Sequence, residues 1–119
     1  MKKLLIIEDD QATDQAYSNK FSKTYQVVVA TNGKDGFTKA IQEKPDLVLL
    51  DIMLPGGLNG FDVLRNLKHN SETVNIPVIV LTNLSEQEDA AKEAGALECL
   101  VKANTDINKV GSVISKYLK

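Results

Sequence analysis

The amino-acid sequence predicts an α/β fold in which strand and helix alternate five times around a parallel sheet. Two observations carry this reading. Short apolar blocks recur at Leu4–Ile7, Val27–Ala30, Leu47–Leu50, Val78–Leu81 and Leu97–Val101. Each is Leu-rich or β-branched and apolar without alternation, the pattern of strands buried on both faces. The intervals between the blocks, and the stretch after the last, place apolar residues at helical spacing. Strict alternation of this kind requires right-handed crossovers and helices on both faces of the sheet.

The first strand, Leu4-Leu5-Ile6-Ile7, runs into Glu8-Asp9-Asp10. Ala12, Ala16, Tyr17 and Phe21 then mark the first helix, with Asp10 placed to cap it. After the second strand, Asn32, Gly33 and Gly36 make a turn into a helix marked by Phe37, Ala40 and Ile41. That turn lacks the Gly-x-Gly-x-x-Gly or Walker spacing of a phosphate-cradling loop. Pro45 precedes the third strand, which ends at Asp51, and Asn59 can cap a third helix built on Gly60, Leu64 and Leu67. His69 falls at the polar end of that helix, as an exposed side chain. Pro77 precedes the fourth strand, which ends at Thr82. Ser85 and Glu88 have capping-box spacing for a helix containing Ala90, Ala91 and Ala94, which Gly95 can close. The fifth strand ends at Lys102, and Ile107, Val110, Ile114 and Leu118 mark the last helix.

Composition excludes several classes. The 119 residues fit one domain, 1–119, able to bury roughly 65% of its unfolded surface, and no output domain is expected after Lys119. The single cysteine, Cys99, has no internal disulfide partner, and its strand setting predicts a buried, reduced and unreactive thiol. No apolar run reaches the length of a membrane span, and Met1-Lys2-Lys3 leads into too few apolar residues for a signal peptide. A cytoplasmic protein without membrane attachment is expected. A net charge of -2 with scattered Lys and Arg offers no basic face for direct nucleic-acid binding.

In a parallel sheet, ligands bind beyond the carboxyl ends of the strands, where strand order reverses. Asp9, Asp51, Thr82 and Lys102 all fall at such ends. Periodicity leaves strand order open, but the flavodoxin-like order 2-1-3-4-5 would bring Asp9 and Asp51 together. Carboxylates about 4 Å apart repel by about 1 kcal/mol in water and about 4 at an effective dielectric of 20, so such a pocket calls for a cation. With no His or Cys close in sequence, oxygen ligands suit Mg²⁺. A divalent ion, the Lys102 ammonium and the Thr82 hydroxyl together stabilise charge on a transferring phosphoryl group. A carboxylate facing them can act as nucleophile, and Asp51 is the best candidate.

These residues carry a resemblance to bacterial two-component response-regulator receiver domains, of the single-domain, chemotaxis-regulator-like kind. The motifs are Ile-Ile-Glu8-Asp9-Asp10, Leu-Leu-Asp51-Ile-Met-Leu-Pro55, Leu-Thr82-Asn83 and Val-Lys102. Any one is weak; the ordered set, spread over nearly the whole chain, is specific. The resemblance implies a flavodoxin-like (βα)5 doubly wound sandwich with a five-stranded parallel sheet of order 2-1-3-4-5. It implies that Asp51 accepts a phosphoryl group from a phosphohistidine on a sensor histidine kinase or phosphotransfer protein. Asp9, Asp51 and the Met53 backbone carbonyl would hold Mg²⁺, with Glu8 reaching it through water. Thr82 and Lys102 would turn to the phosphoryl oxygens, shifting the face formed by the fourth helix, fifth strand and fifth helix, where a downstream protein docks. Such a domain is a switch rather than an enzyme, with autocatalytic phosphotransfer and autodephosphorylation only.

Three positions depart from the family pattern. Ala103 follows Lys102 where proline is usual; a cis bond to alanine costs about 2.5–4 kcal/mol, so a trans peptide is expected, which puts the reach of Lys102 in question. Cys99 stands where many receivers carry an aromatic switch residue. The Pro55–Gly60 loop is one residue longer than the commonest version, with glycines to absorb it. Cys99 and Ala103 are the arguments for an alternative, a phosphorylation-independent protein-binding pseudo-receiver. Aspartate-nucleophile phosphatases fit worse, since Asp9 is followed by Asp10 and Gln11 rather than by a second Asp two residues on. Flavin binding lacks hydroxyls and aromatic rings in Gln11-Ala12-Thr13.

Overall fold

The computed structural model describes residues 1–118. Five strands, β1 (Lys3–Ile7), β2 (Gln26–Ala30), β3 (Leu47–Asp51), β4 (Val78–Thr82) and β5 (Glu98–Val101), form one parallel sheet in the order β2-β1-β3-β4-β5. Five helices connect or follow them: α1 (Gln11–Phe21), α2 (Gly33–Glu43), α3 (Gly60–His69), α4 (Glu88–Glu93) and α5 (Ile107–Tyr117). This is the flavodoxin-like doubly wound sandwich the sequence predicts. Strand order reverses at β1, so the connections after β1 and β3 depart to opposite sides and leave a crevice at their carboxyl ends.

The strands do not alternate because both of their faces are core. Leu5, Ile7, Val48, Leu50, Val78 and Val80 point to one side and pack with Ala40, Val63, Leu64, Leu67 and Ala91 from α2, α3 and α4. Leu4, Ile6, Leu47, Leu49, Ile79 and Leu81 point to the other and pack with Phe21, Val110 and Ile114 from α1 and α5. Burying each such side chain contributes about 1.5–3 kcal/mol, so the two clusters hold the carboxyl edge of the sheet on a rigid base.

Helix starts largely follow the sequence signals. Asp10 accepts from the Thr13 backbone N–H at 2.9 Å and from its hydroxyl at 2.5 Å. Asn32 accepts from Asp35 N at 2.9 Å. Asn59 accepts from Asp62 N at 3.0 Å while Asp62 accepts from Asn59 N at 3.1 Å, a complete capping box. Gly95, at φ +115°, ends α4 as expected. His69 is exposed. Cys99 is buried with a free thiol, and burial pushes that thiol above its ordinary pKa.

Three expectations need correction. The Ser85–Glu88 capping box does not form: Ser85–Gln87 is a 3-10 turn entered without a side-chain cap, and Glu88 is the first residue of α4 rather than its third. The spacing that signals an α-helical first turn is spent on a tighter one. Ala12 and Ala16 are exposed, because α1 turns inward the stripe Asp14, Tyr17 and Phe21 at i, i+3 and i+7. Leu97 lies just before β5 and is 44% exposed. The longer loop after β3 is absorbed as expected, with Gly56 at φ +89° and open space where a side chain would stand.

Candidate functional site

Four strand ends meet at the carboxyl edge. Ile7 pairs with Leu50, so Glu8 and Asp51 leave the sheet side by side. Asp51 pairs with Leu81 on its other flank, Thr82 with Val101, and Lys102 follows directly. Parallel register thus gathers residues separated by up to ninety-four positions in sequence.

Asp51 is 4% exposed. One carboxylate oxygen accepts from the Met53 backbone N–H at 3.0 Å and the other from Lys102 Nζ at 3.0 Å. Lys102 Nζ also lies 3.5 Å from Glu8 Oε1. No cis peptide bond occurs among the described residues, so the trans Lys102–Ala103 linkage, which opens a 3-10 turn over Lys102–Asn104, does not prevent the lysine from reaching the acid. Burial works against the Lys102 charge, but its bond to Asp51 and the attraction of Asp51 and Glu8 outweigh it and hold its pKa above the ordinary value.

Carboxylate oxygens of Glu8, Asp9 and Asp51 lie within 4.8 Å of one another. Glu8 and Asp51 are buried and Asp9 is exposed, so the cluster opens to solvent on the Asp9 side. Burial and the neighbouring Asp51 push the Glu8 pKa up to about 8, and its Oε2 has no hydrogen-bond partner. An orphaned buried oxygen beside two more carboxylates, with only oxygen donors, fits a hard divalent cation. Beside the acids a pocket of about 410 Å³ is lined by Asp9, Met53, Pro55, Asn59, Phe61 and Gln87 among others. A hollow of about 480 Å³ between Asn32–Lys34 and Pro55–Leu58 contains no acid and no nucleophile.

Thr82 is fully buried. Its hydroxyl donates to Gln87 Oε1 and accepts from the Leu84 backbone N–H at 3.1 Å. Gln87 had no signal in the sequence, since its place depends on the 3-10 turn.

Asp14 is the other unforeseen residue. It lies on α1, is 8% exposed, and its Oδ1 lacks a partner. Its signal in the sequence is the i, i+3, i+7 spacing with Tyr17 and Phe21, which a phase that also includes Ala12 and Ala16 obscures. Burial, then the charges of Asp10, Asp9 and Asp51, raise its pKa from 3.8 to about 6. A carboxyl raised on folding stabilises the fold only where it holds its proton, so stability falls as pH rises from about 4 to about 6 and stays reduced above. The rise from 3.8 to about 6 corresponds to at most about 3 kcal/mol, of which an amide left in the same buried place with its own unmade hydrogen bonds recovers about 1. Asp14→Asn is therefore expected to gain about 1 kcal/mol in denaturant melts at pH 7 and nothing at pH 4. An equal gain at both values would contradict this.

A doubly wound sheet with three carboxylates and a lysine on its carboxyl edge defines a class of flavodoxin-like α/β signalling domains. Within it the chain belongs to the response regulator receiver domain family, whose profile matches residues 4–112. Receiver domains are signalling parts of two-component systems. The chain is 41% identical over 105 residues to protein PilH of Pseudomonas aeruginosa, covering 86% of each. It is 35% identical over 120 residues to sporulation initiation phosphotransferase F of Bacillus subtilis, covering 98% of this chain and 94% of that one. Several other curated relatives are longer, and the chain spans 23% to 46% of their length. Among solved structures, the BeF3-activated N-terminal receiver domain of Klebsiella pneumoniae RstA superposes with a TM-score of 0.88 at 30% identity, covering 99% of both chains.

Proposed function

We propose that the chain is a phosphoacceptor switch in which Asp51 takes a phosphoryl group from a phosphohistidine of a histidine kinase or phosphotransfer protein. One observation carries this reading: the buried Asp51 carboxylate is bonded to Lys102 at 3.0 Å and set within a cluster of two further acids. A carboxylate oxygen of Asp51 attacks phosphorus. The O–P bond forms as the N–P bond breaks, and the electron pair returns to the imidazole nitrogen. Lys102, bonded to Asp51 at 3.0 Å, would pair with a phosphoryl oxygen, and the Thr82 hydroxyl would turn to donate to another. Attack of water on phosphorus later releases phosphate and restores the carboxylate. Glu8, Asp9, Asp51 and the Met53 carbonyl would hold Mg²⁺. When bound, the ion supplies positive charge to the oxygens of the transferring group. The output is a protein contact at α4, β5 and α5, and the setting is the cytoplasm.

The reach of Lys102 past Ala103 favours this reading over a phosphorylation-independent binding module. Intact-mass spectrometry after incubation with phosphoramidate tests it. One phosphoryl adduct that requires Mg²⁺ is expected; an unmodified chain with the ion present would sink the proposal. Ion binding has its own readout. At a hundred times its dissociation constant Mg²⁺ is expected to stabilise the fold by about 2.7 kcal/mol, and Asp9→Ala to lose most of that. Equal shifts in melting temperature for both proteins would show the metal site to be misassigned.

A further inference from the structure

We infer that Gln87 is a positioning residue that holds the Thr82 hydroxyl in its resting direction and so links phosphorylation of Asp51 to the start of α4. The inference rests on the phosphoacceptor reading of Asp51. A hydroxyl has one proton to donate; its near acceptor here is Gln87 Oε1, with Leu84 O only at the outer limit of 3.5 Å, while the Leu84 N–H at 3.1 Å occupies a lone pair. A phosphoryl oxygen on Asp51 can receive that proton only if the Thr82–Gln87 bond opens. Phosphorylation and the Gln87 bond therefore compete for one proton.

The other end of the bond matters as much. Gln87 closes the 3-10 turn and directly precedes α4, a helix of six residues from Glu88 to Glu93. Six residues are too few for a helix to persist without tertiary support. Neither Leu84 at the start of the turn nor Gln87 at the start of the helix makes a side-chain cap. The capping box foreseen at Ser85 and Glu88 is not there to anchor this end. Thr82, fully buried at the end of β4, supplies the tie instead, through Gln87. Releasing the amide frees the first turn of α4 at the moment the phosphoryl group takes the hydroxyl. Cys99 on β5, small and buried, has no ring to carry the change, and the Gln87 arm does not need one.

The competition has a direction that structural damage would not imitate. Removing the acceptor should make the activated state easier to reach. With Mg²⁺ in excess, beryllofluoride, a phosphoryl mimic, is expected to bind Gln87→Leu three- to tenfold more tightly than wild type. That range is what loss of one competing hydrogen bond, about 0.6–1.4 kcal/mol, corresponds to. The gain should vanish when Gln87→Leu is made in a Thr82→Ala background, because no proton is then contested. In metal-free protein without the mimic, amide exchange at Glu88 to Ala91 should be faster in Gln87→Leu than in wild type. Unchanged or weaker beryllofluoride binding by a folded Gln87→Leu, or a gain that persists without Thr82, would overturn the inference. If wild type itself neither binds beryllofluoride nor takes a phosphoryl adduct, the reading of Asp51 fails and the inference goes with it.

Discussion

Asp51→Asn is expected to take no phosphoryl adduct from phosphoramidate and Mg²⁺ under conditions that label the wild type, a loss of at least about a hundredfold. The amide has nearly the same shape, so the effect comes from losing the nucleophile. Its oxygen can still accept from Met53 N, which lies 3.0 Å from the carboxylate. Its nitrogen, however, would face the Lys102 ammonium, donor against donor. Lys102 has another partner in reach, since Glu8 Oε1 is 3.5 Å from Nζ. Without the Asp51 charge, one cause of the raised Glu8 pKa of about 8 is removed, while the larger one, burial, remains. Three carboxylates read from sequence suggest simple repulsion, relieved by removing one. The structure shows that repulsion already eased by the lysine, whose Nζ lies 3.0 Å from Asp51 and 3.5 Å from Glu8. Metal-free stability of the variant should therefore stay within about 1 kcal/mol of wild type. An adduct of wild-type stoichiometry on Asp51→Asn, read by intact mass, would refute the assignment of the nucleophile.

Gly60→Ala is expected to destabilise the protein by about 3 kcal/mol or more, and to lower labelling at Asp51 in whatever remains folded. Gly60 opens α3 and donates its N–H to Ile52 O at 2.9 Å. A methyl group there would lie 2.5 Å from Asp51 O and closer still to Ile52 Cα. Both are backbone atoms at Asp51 and its neighbour, with no rotamer to change. Either α3 retreats, opening the packing of Val63, Leu64 and Leu67, or the end of β3 shifts and carries the Asp51 carboxylate off Lys102. Urea melts measure the first and intact mass the second. A variant with wild-type stability and wild-type labelling would show that the approach of α3 to β3 is looser than described. Gly57 provides the control, because a side chain there meets nothing within 4 Å.

Much of this architecture is legible in the chain. Five unalternating apolar blocks flanked by amphipathic intervals leave only a parallel sheet covered on both sides, and four of the five blocks end at a candidate site residue. Asp10 and Asn59 cap their helices because capping is local, decided by a side chain and an N–H three residues on. The same local logic fails at Ser85 and at Ala12 and Ala16. A capping box and a small-residue stripe are each consistent with more than one helix phase. The phase is chosen by what the rest of the fold presents, Thr82 in one case and the α1–α5 side of the core in the other.

The sequence by itself determined the class of fold and the residues at four strand ends, because those follow from periodicity, and the ordered motifs at those ends carried the strand order. The 3.0 Å bond between Lys102 and Asp51, the buried Asp14 and the tie from Thr82 to Gln87 were decided only by the tertiary structure. Each depends on distances between residues far apart in the chain, or on the phase of a helix that packing selects. Electrostatic and hydrogen-bond energies change steeply over an ångström, and pattern in a sequence carries no ångströms.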